Sequence, residues 1–243
     1  MKFTIITPTY NRPDELARAV ESVLGQTYQD FQMVIINDSP DYDYTSFENK
    51  YISNDKIIYI KNNKNSGVNF SRNTALEKAK DLESDYVIFL DDDDWLYGDA
   101  LENINNILEK ESYNWLITNR TAGNTNLTKV KTKKEKYNYF WDMLMLRNIY
   151  GDATHTIKTS EAVKYKFSKH VKNGEELYYF TQLPFDFVYE NTNSTDSNGY
   201  TVNGLTDVLK NKYKENTNNL WKEKLNWKMF LYLTMRSLKA LTK

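Results

Sequence analysis

Along the first half of the chain, short apolar runs alternate with stretches of helical periodicity. "KFTII" (2–6) is a brief β-branched run, broken by Pro8 and the polar "TYNRP", and Asp14 at the end of that loop is placed to cap a helix. In "DELARAVESVLGQ" (14–26), Leu16, Ala19, Val20, Val23 and Leu24 recur at helical spacing, with Gly25 as the stop. "FQMVIIND" (31–38) and "KIIYIKN" (56–62) read as the second and third strands. "NSGVNFSRNTALEKAKDL" (65–82) is a glycine turn running into a helix with Ala75, Leu76 and Ala79 inward, and "DYVIFL" (85–90) is a fourth strand. Strands separated by single helices predict an α/β domain with a Rossmann-like, mostly parallel central sheet flanked by helices.

Beyond the fourth strand, "GDALENINNILEKE" (98–111) predicts an amphipathic helix and "YNWLITN" (113–119) a further strand. From about residue 121 the texture changes. "AGNTNLTKVKTKKEK" (122–136) reads as a polar surface loop, "YNYFWDMLMLRNIY" (137–150) as an aromatic helix, and "ENTNSTDSNGYTVNG" (190–204) as an Asn-rich loop. A C-terminal helical extension is expected from Leu205. On a helix, Lys228, Tyr232, Arg236, Lys239 and Lys243 gather on one face and apolar side chains cover much of the rest. Such a surface suits an anionic membrane, or packing of its apolar face on the catalytic part or on a second copy of the chain.

Composition narrows the function. Lys and Arg total 32 against 33 Asp and Glu over 243 residues, so charge gives no reason to expect a nucleic-acid partner. The absence of cysteine excludes disulfides, thiolate metal sites and a cysteine nucleophile. The N-terminal apolar run is too short for a secretory signal and no apolar stretch is long enough to span a bilayer, which predicts a cytoplasmic protein.

The chemistry is expected in "FLDDDDWL" (89–96), four carboxylates directly behind a buried strand. In open α/β sheets ligands bind outside the carboxyl ends of the strands, where "TPTYN", "NDS" and "DDDD" should converge. A solvated helix start is one reading of such a run. A calcium loop is excluded by Trp95 and Leu96, which interrupt the alternate ligand spacing. The third reading is an oxygen-rich site for Mn²⁺ or Mg²⁺ bound together with a phosphate-bearing substrate.

"IITPTYNRPDELARAVESVLGQTYQDFQMVIINDS", "NKNSGVNFSRNTAL" and "YVIFLDDDDWL", in order over roughly residues 3 to 120, resemble the successive signatures of the family 2 glycosyltransferases of GT-A fold. The resemblance implies inverting, metal-assisted transfer from a nucleotide sugar, UDP-linked, to a glycan or lipid-linked acceptor in surface polysaccharide synthesis. It makes 1–120 the nucleotide-sugar-binding part, 121–204 the acceptor side and 205–243 an extension. It lays Pro8, Thr9 and Tyr10 along the base and has Asp38 accept from the base's N3–H, with Asn37 where Asp is more frequent. Arg72 helps hold the nucleotide. Asp93 carries the metal, Asp91 and Asp92 contact ribose or complete the metal's shell, and Asp94 is expected to cap the next helix.

For the base, the family commonly shows Glu-Asp where this chain has Glu175-Glu176, which puts Glu176 in the base position with a longer side chain and leaves Glu175 as the alternative. His155 is either a plain surface or core histidine or a contact for diphosphate or metal, and His170 is expected at the surface. A metal-dependent nucleotidyl- or phosphotransferase, and a binding protein without turnover, are the competing function classes.

Overall fold

A buried strand covered on both faces shows apolar residues at consecutive positions, and the first half of the chain obeys this rule. The computed structural model describes residues 1–123, 125–170 and 175–198, together with residues 228, 231 and 232. The strands are β1 (Phe3–Thr9), β2 (Phe31–Asn37), β3 (Ile57–Lys61), β4 (Tyr86–Phe89), β5 (Asp94–Leu96), β6 (Trp115–Ala122), β7 (Thr125–Asn126), β8 (Lys129–Val130), β9 (Ile149–Tyr150), β10 (Ala153–Lys158) and β11 (Val188–Ser197). The helices are α1 (Pro13–Leu24), α2 (Thr45–Tyr51), α3 (Val68–Asp81), α4 (Ala100–Lys110), α5 (Thr159–Ala162) and α6 (Glu175–Gln182), with a π-helical turn at Tyr139–Met145.

The main sheet runs β3-β2-β1-β4-β10-β6-β11-β5, and β7 extends it from β6. β3, β2, β1 and β4 are mutually parallel, β10 is antiparallel to β4 and β6, and β11 is parallel to β6. The amino end of β10 therefore lies at the same edge as the carboxyl ends of β1, β2, β4 and β6. Alternate side chains feed two cores: Phe3, Ile5, Met33, Ile35 and Ile88 pack with α1 and α4, while Ile6, Val34, Ile36, Val87 and Trp115 pack with α3 and α6.

Four local expectations change. The N-cap of α1 is Arg12 with Pro13 in the first turn, so Asp14 sits inside the helix. α4 starts after Asp99; Asp94 belongs to β5, pairs with β11 and caps nothing. The aromatic segment forms a single π-helical turn because the buried Asp142 carboxylate binds the Asn138 N–H at 2.8 Å and Asn148 Nδ2 at 2.7 Å, tying its two ends together. The Asn-rich stretch supplies a strand, β11, rather than a loop over Val188–Ser197. The predicted helical extension 205–243 lies outside the described residues except for Lys228, Leu231 and Tyr232.

Candidate active site

At the carboxyl edge of the sheet, Leu90 N–H bonds Ile6 O and ends β4, and the chain delivers the four aspartates beside the loop after β1. Asp91, Asp93 and Asp94 bring carboxylate oxygens within 4.8 Å of one another. Asp92 faces the other way, towards Thr9 and Arg12. Like charges so close repel, and three arginines offset them. Arg12 Nη1 lies 2.9 Å from Asp93 and 3.3 Å from Asp92, Arg72 Nη2 lies 2.8 Å from Asp91, and Arg120 Nη2 lies 2.8 Å from Asp94.

Balance is incomplete. Burial works against the charged form of Asp91 but is outweighed by Arg72, Arg120 and Arg12, so its pKa lies below the ordinary carboxylate range. Burial pushes Asp92 up to about 6. Asp94, almost wholly buried, is pushed up to about 8 by burial and by the charges of Asp91, Asp93 and Asp152, against the pull of Arg120. A hard, all-oxygen donor set short of positive charge fits a divalent cation of the Mg²⁺ or Mn²⁺ type. Of the expected ligands, Asp93 and Asp91 are in the group; Asp94 joins them and Asp92 does not.

Asp91 and Asp94 of the trio open on a cavity of about 780 Å³. Its wall carries Asp91 and Asp94 from the segment into β5, Arg120 from β6, Asp152 and His155 from the segment into β10, and Glu176 from α6. Glu176, in the first turn of α6, keeps a half-exposed carboxylate 3.1 Å from Arg72 Nη2. The same guanidinium nitrogen thus spans the metal-type cluster and the expected base. Glu175 opens α6, and its side chain is not among those described. His155 accepts a hydrogen bond from Trp115 Nε1 at 3.1 Å and stacks on Phe180, and burial pushes its pKa down to about 3, so the ring is a neutral part of the aromatic wall. His170 is exposed, as expected. Tyr232 of the C-terminal stretch also lines this cavity.

A second cavity of about 400 Å³ lies on the β1–β2 side, with the exposed rings of Tyr10 and Tyr42 in its wall. Pro8 and Thr9 line neither cavity; Thr9 Oγ1 lies 3.0 Å from Tyr44 Oη. Asp38 is buried, and its carboxylate accepts from Asn62 Nδ2 at 2.7 Å, Ser66 N–H at 2.8 Å and Gly67 N–H at 2.6 Å. It holds the turn that launches α3, where Gly67 has φ 87° and a side chain would be strained. The turn in turn aims Arg72 at the site.

Arg12, Arg120 and Asp152 were not expected from the sequence. A signal existed for two of them: Arg120 is a lone charge at the carboxyl end of a predicted strand, and Arg12 sits in the loop after β1.

Glycosyl transferase family 2 matches residues 4–171. A glucosyltransferase of Escherichia coli, WfaP, described as UDP-Glc:alpha-D-GlcNAc-diphosphoundecaprenol beta-1,3-glucosyltransferase, is 38% identical over 108 residues, 44% of this chain and 41% of that protein. A Campylobacter jejuni GalNAc(5)-diNAcBac-PP-undecaprenol beta-1,3-glucosyltransferase is 33% identical over 105 residues, 42% of this chain and 33% of that protein. The matches span well under half the length of these relatives. Among solved structures, S. aureus TarS 1-349 in complex with UDP-GlcNAc superposes with a TM-score of 0.70 at 16% identity, covering 93% of this chain and 68% of that one. That likeness is one of fold, and together with a family match over most of the chain, and the aspartates at the sheet edge, it establishes that the chain belongs to glycosyl transferase family 2 and has the GT-A fold.

Proposed function

We propose that the protein is an inverting glycosyltransferase that moves a sugar from a nucleoside diphosphate sugar, UDP-linked, to a glycan or lipid-linked acceptor in surface polysaccharide synthesis, at the cytoplasmic face of the membrane. One observation carries the reading: Arg72 ties Asp91 of the carboxylate trio to Glu176, and both of those carboxylates line one cavity. The named activities of the E. coli and C. jejuni relatives, both on undecaprenyl-diphosphate acceptors, support the acceptor class, and the UDP-GlcNAc complex of TarS supports the donor class.

In this reading Tyr10 and Asp38 serve the base side, with Pro8 and Thr9 shaping the strand end, and Asp92 faces the ribose. Asp93 and Asp91, joined by Asp94, hold Mn²⁺ or Mg²⁺, which when bound neutralises the charge that grows on the diphosphate as its bond to the anomeric carbon breaks. Arg72 keeps Glu176 oriented in the cavity. Glu176 takes the proton of the acceptor hydroxyl as that oxygen bonds the anomeric carbon from the opposite face, and the bonding electrons leave with the nucleoside diphosphate. Residues 1–120 accordingly serve the donor and 121–204 the acceptor. For the C-terminal stretch, binding to anionic vesicles that weakens with salt and is lost on truncation before Asn219 supports a membrane partner; a dimer that dissociates on the same truncation supports self-association.

The test is a screen of nucleotide sugars with Mn²⁺ or Mg²⁺. Slow, metal-dependent release of nucleoside diphosphate is expected from one of them. Release of pyrophosphate instead would mark a nucleotidyltransferase, and binding of a nucleotide sugar with no turnover of any acceptor and no hydrolysis would mark a binding protein.

A further inference from the structure

The cations in the wall of the large cavity differ in one respect. Arg120 is tied to Asp94, while Arg147 has no carboxylate partner among the described residues; its guanidinium lies 4.6 Å over the Tyr150 ring. The wall it joins carries Asp91, Asp94, Asp152 and Glu176. An acidic wall repels an anionic ligand, so a ligand bearing phosphate needs a cation that is not already neutralised.

Arg147 is also held in place. The Leu146 N–H bonds Trp141 O at 2.8 Å and the Asn148 N–H bonds Asp142 O at 2.8 Å, which fixes the backbone on both sides of it. Between those anchors Arg147 adopts φ 55°, the left-handed conformation in which a helix end ordinarily carries Gly or Asn. Beyond Tyr150 the chain is clamped again: at Gly151, φ 91°, an added Cβ would lie 2.0 Å from Leu127 O. Nothing in the backbone's own needs calls for arginine at 147. An exposed arginine in a left-handed conformation, in the wall of a cavity and without a carboxylate partner among the described residues, is a candidate to meet an anionic ligand.

Its place in the sheet says which ligand. The Tyr10–Tyr42 cavity lies on the β1–β2 side, whereas Arg147 stands between the π-helical turn, on which α6 packs, and β10. We infer that Arg147 binds a phosphate group of the acceptor, and so selects a phosphate-bearing acceptor, such as a sugar joined to a lipid diphosphate, over a neutral glycan. The inference rests on the transferase reading above and adds the residue that recognises the acceptor's phosphate.

The test compares two probes, undecyl-diphosphate-linked N-acetylglucosamine and the neutral undecyl N-acetylglucosaminide, binding to the full chain without donor. The wild type should prefer the diphosphate probe. Arg147→Asn, which suits the left-handed backbone, should weaken that probe roughly 10- to 100-fold while leaving the neutral probe and UDP within about twofold. Arg147→Lys, which keeps charge but not the planar fork, should fall between. Equal losses for both probes would reduce Arg147 to a packing role, and a loss confined to UDP would assign it to the donor; either result overturns the inference. The two readings fail separately: absence of nucleotide-sugar hydrolysis removes the transferase, whereas hydrolysis with no preference between the probes removes only the role of Arg147.

Discussion

Arg72 Nη2 lies 3.1 Å from Glu176 Oε1, and this contact joins α3 to α6. If Glu176 is the base, Glu176→Gln keeps the shape, removes the basicity and lowers turnover by roughly 10²-fold or more. UDP affinity should stay nearly constant, because Arg72 retains Asp91 at 2.8 Å. Glu175→Gln should slow transfer less. Steady-state kinetics of both variants decide the register: exchanged effects move the base to Glu175, and no effect from either removes it from α6.

Asp91, Asp93 and Asp94 meet within 4.8 Å, so Mn²⁺ or Mg²⁺ should raise the thermal midpoint of the wild type. Asp93→Asn should abolish most of that shift and most activity while the protein stays folded. Full activity in excess chelator contradicts the assignment.

Removing Arg120 leaves Asp94 buried without its 2.8 Å partner. With its pKa already pushed up to about 8, Asp94 stays neutral when Arg120 is removed, so Arg120→Leu should cost about 1–3 kcal/mol in urea unfolding near neutral pH, and more above pH 8. Equal losses below and above pH 8 would contradict this pairing.

The Asp38 carboxylate organises the turn from Asn62 to Gly67. Asp38→Ala should therefore weaken UDP binding, measured calorimetrically, and also lower stability by about 1–3 kcal/mol through the orphaned N–H groups. Unchanged affinity with collapsed turnover would refute a role on the base side.

His155 supplies a pH dependence. Its folded pKa is pushed down to about 3 from 6.5 by burial, so between these values the unfolded chain binds more protons than the folded one. Stability from this group is present above about pH 6.5 and is lost as pH falls towards 3. His155→Gln retains an acceptor for Trp115 Nε1–H without titrating, and its stability should decline less steeply with acid than the wild type's. Identical slopes would show that the ring is already charged in the fold.

The sequence by itself determined the first half of the fold. Strands buried on both faces show as unbroken apolar runs, helices as a 3.6-residue period, and the run "DDDD" stands at a strand's carboxyl end whatever the rest of the chain does. Tertiary structure alone decided the partners. Arg12 reaches Asp93, Arg120 reaches Asp94 and Arg72 reaches Glu176 across separations that no local pattern encodes. Read locally, Asp94 is a helix cap and "ENTNSTDS" a loop. In the fold, Asp94 opens β5, and β11 runs between β6 and β5 with Ser194, Thr195, Asp196 and Ser197 buried. Thr195, Asp196 and Ser197 are accepted there because partners distant in sequence satisfy them: Thr121 Oγ1 and the Gly123 N–H donate to Asp196 Oδ1, Thr154 Oγ1 donates to Thr195 Oγ1, and Ser197 Oγ donates to Thr121 O. A hydrogen bond supplied from another strand makes a polar segment a buried one, and it leaves no mark on the segment's own sequence.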